Sequence, residues 1–205
     1  PRDPARSQVL LDLLESVEKD GSGSQRERAS EFGVALGLVN AYLNYCVKKG
    51  YVRVKKIPAK RYFYYLTPKG FAEKSRLALM LVSNSFHSFR QARQEYGEAF
   101  AAFRAAGYRR VLLSGRSELA EIAVLCASEN EIEIAAILSD AEGRFLGLPV
   151  VTALEQVQGG FDAIVITDLN DPMAAYEAAA RVVGGSRVAA TSILGITSQP
   201  QEAAE

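Results

Sequence analysis

The chain has 205 residues, 24 Lys and Arg against 24 Asp and Glu, and 48% hydrophobic residues. That length suits one large or two small domains, and that composition is globular rather than disordered. No apolar run approaches the roughly 18–20 residues that span a bilayer, so no membrane partner is expected. The charge is unevenly placed. Residues 1–70 hold 13 basic and 7 acidic side chains, residues 71–107 hold 5 and 3, and residues 108–205 hold 6 and 14. Between Phe32 and Ala72 stand eight Lys and Arg and no Asp or Glu. A basic first third on an acidic last half points to a polyanion-binding module joined to one that does not bind polyanions. A single histidine, His87, and no Cys/His cluster argue against zinc. Cys46 and Cys126 stand apart among apolar residues and read as reduced core thiols. No signal peptide is visible in a chain that starts at Pro1, so a cytoplasmic location is expected.

Pro4 to Lys19 reads as a helix, because Val9, Leu10, Leu13, Leu14 and Val17 recur at helical spacing. Asp20-Gly21-Ser22-Gly23 ends it. Ser24 caps a second helix, with Glu27 three residues later in a capping box. Arg26, Arg28, Ala29 and Phe32 lie on that helix. Gly33 to Gly37 forms a tight connection to a third helix, Leu38 to Lys49. Its Val39, Leu43, Cys46 and Val47 are expected to pack inward, and Ala41, Asn44, Tyr45 and Lys48 to face outward. Gly50 ends it. Two strand-like runs follow, Tyr51 to Lys56 and Tyr62 to Leu66, around a tip that carries Pro58, Lys60 and Arg61.

This order is that of a winged helix-turn-helix. The third helix is expected in the major groove, with Leu38, Asn40, Ala41, Asn44, Tyr45 and Lys48 at the DNA. Ser24, Arg26 and Arg28 are expected beside it. Lys55, Lys56, Lys60 and Arg61 of the hairpin are expected at phosphates or in the minor groove. Asn44 reads either as a reader of an adenine edge or as a surface amide. Tyr45 reads either as a contact or as packing against the hairpin. Double-stranded DNA is thus the expected partner.

The run Gly33 to Leu43, with Lys48-Lys49-Gly50-Tyr51-Val52 and Tyr64-Tyr65-Leu66-Thr67-Pro68-Lys69-Gly70, resembles the MarR-type winged-helix transcription regulators. It is most similar to the subgroup found with exopolysaccharide biosynthesis genes. The resemblance covers about residues 5–80 and implies DNA binding, usually as a dimer on an inverted repeat.

Thr67-Pro68 starts a further helix, with no proline from there to Ala106. Leu79, Val82, Phe86, Phe89, Arg93, Tyr96, Phe100 and Phe103 step by three and four, a heptad seam. It reads either as the seam of a homodimer or as a stripe packed on the chain's own C-terminal domain. His87 reads as a partly buried packing residue beside it.

Beyond Gly107, strands and helices alternate. Strands are expected at 110–114, 132–138, 161–167 and 187–190. Helices are expected at 118–127, with Leu119, Ile122, Ala123 and Cys126 inward, at 153–157 capped by Thr152, and at 172–183. That alternation argues for a Rossmann-like α/β domain with a parallel sheet. Its ligands would sit beyond the strand carboxyl ends. The residues there are Ser114 to Glu118, Ser139 to Glu142 and Thr167 to Asp171, with Ser114, Gly115, Arg116, Ser117, Glu118, Ser139, Asp140, Thr167 and Asp168 as the ligand candidates. Amides at Gly115–Ser117 are placed to hold a phosphate. Asp140 is placed like an acid that binds a ribose hydroxyl, or caps a turn. The full Gly-x-Gly-x-x-Gly fingerprint is missing, and Arg116 and Ser117 depart from it.

Val111-Leu112-Leu113-Ser114-Gly115, Ile137-Leu138-Ser139-Asp140, Gly143, Phe145 to Val150 and Phe161 to Ile166 together resemble the N-terminal domain of sugar acyltransferases and nucleotide-sugar dehydratases. That resemblance covers about residues 108–168 and implies a nucleotide or nucleotide-sugar as effector. The expected plan is a winged helix at 4–70, a helical connector at 71–107 that forms a homodimer, a ligand-binding Rossmann-like domain at 108–197 and a disordered tail at 198–205. The expected function is a metabolite-sensing transcription regulator of polysaccharide biosynthesis. The alternative is a dimeric DNA-binding adaptor whose second domain holds no ligand. No nucleophile–base pair or metal cluster is visible, so the chain reads as a non-enzyme.

Overall fold

Residues 4–57 and 61–196 are described by a computed structural model, and the chain divides into two units, Pro1–Phe86 and His87–Glu205. The hairpin tip at 58–60 and the expected tail at 198–205 lie outside the described residues. Among those described, no helix is long and apolar enough to cross a membrane.

The first unit holds α1 (Pro4–Lys19), α2 (Gln25–Glu31), α3 (Leu36–Lys49) and an antiparallel hairpin of β1 (Val52–Ile57) and β2 (Arg61–Leu66). Leu10, Leu13, Leu14 and Val17 of α1 pack with Ala29 of α2, Val39, Leu43 and Cys46 of α3, and Val52 and Leu66 of the hairpin. The capping box at Ser24 and Glu27 forms as the spacing implied. Helix α3 begins two residues earlier than expected. Its Val47, expected inward, is 39% exposed, because it lies at the edge of the buried arc set by Val39, Leu43 and Cys46. Burial pushes the Cys46 thiol up to about 12. The turn after α1 is bonded to β2, since the Tyr64 amide donates to the Gly21 carbonyl at 2.8 Å. A Cβ at Gly21 would stand 2.1 Å from the Tyr64 carbonyl oxygen, so only glycine lets the hairpin seat on the end of α1.

Helix α4 (Pro68–Ala105) contributes to both units. Thr67 starts it, accepting the Gly70 amide at 3.1 Å and donating to the Gly50 carbonyl at 2.6 Å. The heptad stripe divides in two. Leu79 is 69% exposed and Phe86 60%, with Val82 and Phe89 also exposed. Tyr96, Phe100 and Phe103 are instead buried in the core of the second unit. Arg93 pairs with Glu129 at 2.6 Å. His87 is exposed rather than packed.

The second unit holds β3 (Arg110–Ser114), α5 (Glu118–Glu129), β4 (Glu133–Leu138), β5 (Gly143–Phe145), β6 (Leu148–Val151), β7 (Ala163–Ile166), α6 (Pro172–Val183) and β8 (Val188–Ala189). They form a six-stranded sheet in the order β5-β6-β4-β3-β7-β8, parallel except for β5 against β6. This mostly parallel sheet is compatible with a Rossmann-like domain. Successive side chains of β3 point to opposite faces. Val111 and Leu113 meet α5 and the end of α4, and Leu112 meets the side where Ala179 and Val183 of α6 lie. The expected helix at 153–157 is only a 3-10 turn, Leu154–Gln156. There the Gln156 side chain accepts the Thr152 and Ala153 amides, so Thr152 is not the cap. The β5–β6 hairpin was not expected at all.

Candidate functional site

Two regions collect the residues singled out in the sequence, one in each unit. In the first unit the outward face of α3 presents Asn40, Ala41, Asn44, Tyr45 and Lys48 to solvent, with Leu38 beside them. Asn44 donates to Asn40 at 3.2 Å, so the two amides lie together on one face. Tyr45 stands edge-on to Tyr51 at 6.3 Å, and Lys49 lies 5.7 Å from its ring. Tyr45 is thus both exposed and packed against the residue that opens the hairpin. Lys55 and Lys56 of β1 are exposed, as is Arg53. Lys60 lies outside the described residues, and so does the side chain of Arg61. Arg26 is exposed, and Ser24 holds the α2 cap.

Arg28 is a correction. It is only 1% exposed and faces inward. Its guanidinium donates to Ser16 Oγ at 3.0 Å, to the Gly23 carbonyl at 2.6 Å and to the Asp20 carbonyl at 2.5 Å, beneath the Tyr64 ring. It ties α1, α2 and the hairpin together and has no surface to offer a ligand. Its charge is held by three acceptors.

In the second unit the strand order reverses between β3 and β7, which opens a crevice beyond their carboxyl ends. A cleft of about 610 Å3 lies there, lined by Arg116, Ser117, Glu118, Glu121, Ser139, Asp140, Phe145, Asp168, Leu169 and Asn170. Six of the nine expected ligand residues therefore come together. Ser114, Gly115 and Thr167 do not line it but build its floor. Thr167 is fully buried and donates to the Gly115 carbonyl at 2.6 Å, and Ser117 Oγ donates to the Thr167 carbonyl at 2.5 Å. Gly115 has φ of 111°, and a Cβ there would lie 2.4 Å from the Asp168 backbone. Its small size thus admits the β7 loop.

Of the amides expected at Gly115–Ser117 to hold a phosphate, that of Gly115 is already taken by the Leu138 carbonyl at 2.9 Å. Ser117 Oγ takes the Leu119 amide at 3.1 Å, and the Ser117 carbonyl takes that of Ala120 at 3.0 Å. Glu118 and Glu121 stand in the first turn of α5, where they already meet its positive end. Asp168 Oδ1 accepts the Asn170 and Asp171 amides at 2.6 and 3.0 Å, which fixes the loop. Asp140 accepts from the Ser139 hydroxyl at 3.1 Å. Sequence reasoning missed Glu121 and Phe145 as site residues. Glu121 follows Glu118 by three positions in a helix start, a spacing that puts both on one face. Leu169 and Asn170 belong to the expected strand-end run Thr167 to Asp171 and do line the cleft. Phe145 had no such signal, because its strand was not expected.

The cleft is linked to α4 within this unit. Tyr96 donates to the Ile166 carbonyl at 2.7 Å, one residue before Thr167 and two before Asp168. Burial raises the Tyr96 phenol above its ordinary value, so it remains a donor. Glu95 accepts from the Ser192 amide and hydroxyl, both at 2.6 Å.

No family model matches the chain, and no curated protein matches it. Among solved structures it is similar to one described as PigF with SAH, at 15% identity and a TM-score of 0.29, covering 79% of this chain and 62% of that one. The chain thus spans less than two thirds of that protein's length. The expectation of a non-enzyme does not stand beside this match to a chain solved with SAH. At that TM-score the likeness assigns neither a fold nor a reaction.

Proposed function

We propose that the chain is a dimeric, sequence-specific DNA-binding transcription regulator of the MarR-type winged-helix kind, whose Rossmann-like second unit binds a small metabolite. The supporting observation is the exposed face of α3, with Asn40, Ala41, Asn44 and Lys48, in the same acid-free segment as the exposed Arg53, Lys55 and Lys56 of β1. Helix α3 is the reading element and the hairpin the phosphate contact. The replacement of both Lys55 and Lys56 by alanine is expected to weaken DNA binding about uniformly across sequences. It should also lower the slope of log affinity against log salt by about 2. Titrations of a labelled duplex at several salt concentrations measure both. An unchanged slope would remove the hairpin from the interface.

The two copies join through α4. Leu79, Val82, Phe86 and Phe89 step by three, four and three and are all exposed, which suits a seam against a second α4. The variant Val82→Glu/Phe86→Glu is expected to sediment as a monomer where the unaltered chain sediments as a dimer. Dimeric variants would place the interface elsewhere.

The effector class that the sequence suggests is a nucleotide or nucleotide-sugar, and the regulated process polysaccharide biosynthesis. A ligand in the Asp140–Asp168 cleft acts on the β7 end to which Tyr96 of α4 is bonded. It changes DNA binding to the extent that it binds two arrangements of α4 unequally. The second reading is a ligand-free adaptor. It is favoured by the Ser117 hydroxyl, at the cleft wall, donating to the Thr167 carbonyl rather than standing free for a ligand.

A further inference from the structure

We propose that one face of the hairpin, with the cleft beside it, holds an unpaired DNA strand by stacking its bases on Phe63, Tyr65 and Phe71. The choice of DNA rests on the reading above, but the surface uses none of the α3 residues. The ladder decides which side chains share this face. Phe63 stands opposite Lys55 and Tyr65 opposite Arg53, and directly opposed residues of an antiparallel pair point to the same side. All four are exposed. Phe71, in the first turn of α4, is exposed too, and it lines a cleft of about 360 Å3 with Phe63 and Tyr65. Val17 and Leu66, both buried, lie behind them. A Cβ at Gly21 would stand 2.8 Å from the Phe63 ring, so glycine lets that ring lie over the end of α1.

Three exposed rings on one surface form an apolar patch that calls for a cover. Among the described residues, none of the three is in contact with another ring. The charge around them names the cover. Arg53 and Lys55 are in no ion pair among the described residues. Lys19 is exposed at the cleft, and Lys74 lies 6.0 Å from the Phe71 ring centroid. The two acids of the cleft are already engaged. Glu18 pairs with Lys74, and Asp20 accepts the Ser22 amide and hydroxyl at 2.8 and 2.7 Å.

The complement to rings interleaved with cations is an anion that carries flat groups. Phe63 and Tyr65 are two positions apart on one strand, about 7 Å, and each has a cation directly across the ladder. The face thus repeats one ring and one cation per step, as a single strand repeats one base and one phosphate. Among the described side chains of this face none is Leu or Ile, which a bilayer-inserting face would add to its rings.

The test uses the full chain, which contains no tryptophan. A fluorescein-labelled oligothymidylate of about twelve nucleotides and a labelled mixed-sequence duplex are titrated by anisotropy at moderate salt. Tyr65→Leu and Phe71→Leu, both at exposed positions, are expected to weaken oligothymidylate binding about tenfold each. Duplex affinity and the urea unfolding midpoint should stay unchanged. Tyr65→Trp is expected to keep the affinity, with its indole emission quenched as the oligomer stacks on it. Oligomer binding indifferent to both leucine variants would overturn the inference, and so would an equal loss for the duplex. A duplex bound and the oligomer refused would overturn it and leave the duplex-reading proposal standing. The oligomer bound and the duplex refused would keep this surface and remove that proposal, and refusal of both would overturn both. An indole emission that shifts to the blue on phosphatidylserine vesicles and ignores the oligomer would overturn the inference in favour of a membrane surface.

Discussion

Replacement of Gly115 by alanine is expected to destabilise the second unit by about 3 kcal/mol or more. Two costs add. At φ of 111° the backbone adopts a conformation that L side chains rarely take, and the new Cβ would lie 2.4 Å from the Cα and N of Asp168. Neither neighbour is the far end of a flexible side chain, so the β7 loop itself must move. That loop is bonded through Thr167 to β3 and through Ser117 to the start of α5. The strain therefore reaches both walls of the cleft. Thermal unfolding should show a transition lowered by on the order of 10 °C, with the first unit's transition unchanged. A variant that unfolds like the unaltered chain would mean that the β3 and β7 ends do not approach as closely as described.

The two arginines of α2 are expected to behave oppositely. Arg28→Met should cost about 3 kcal/mol in the first unit, because the buried guanidinium is lost and with it three part-buried hydrogen bonds, to Ser16 Oγ and the carbonyls of Asp20 and Gly23. Arg28→Lys should recover only part of this, since one ammonium cannot reproduce the planar fork that reaches three acceptors. Arg26→Ala, at an exposed site, should leave stability within about 0.5 kcal/mol. Urea unfolding of the three variants measures the difference. Equal stability of Arg26→Ala and Arg28→Met would contradict the inward placement of Arg28. The same comparison separates folding from function, because loss of DNA affinity in Arg28→Met would follow from unfolding.

Much of the architecture was legible because periodicity and caps were strong. The Ser24–Glu27 capping box and the Leu10, Leu13, Leu14, Val17 stripe named α2 and α1. The alternation of strand and helix after Gly107 named the mostly parallel sheet, and the residues at its strand ends formed most of one cleft. The failures have physical reasons. The β5–β6 hairpin turns at Leu146 and Gly147, which both have positive φ, 52° and 80°. A primed turn is usually announced by Asn-Gly or Asp-Gly, and Leu in that conformation is rare. The seam of α4 was one uninterrupted pattern in sequence, yet Tyr96, Phe100 and Phe103 satisfy it on their own sheet while Leu79 and Phe86 stay exposed. Periodicity says that a face is apolar and not what covers it. Arg28 was indistinguishable from Arg26 by residue type. Only the convergence of three acceptors from two segments draws it inward.

The central claim, that this chain reads a DNA sequence through α3 and the hairpin, is tested most directly by selection of bound duplexes from a random library with the full chain at moderate salt. Enrichment of an inverted repeat, lost in Asn44→Ala/Lys48→Ala at unchanged stability, is the expected result. Recovery of no enriched sequence, or an enrichment indifferent to those substitutions, would contradict it.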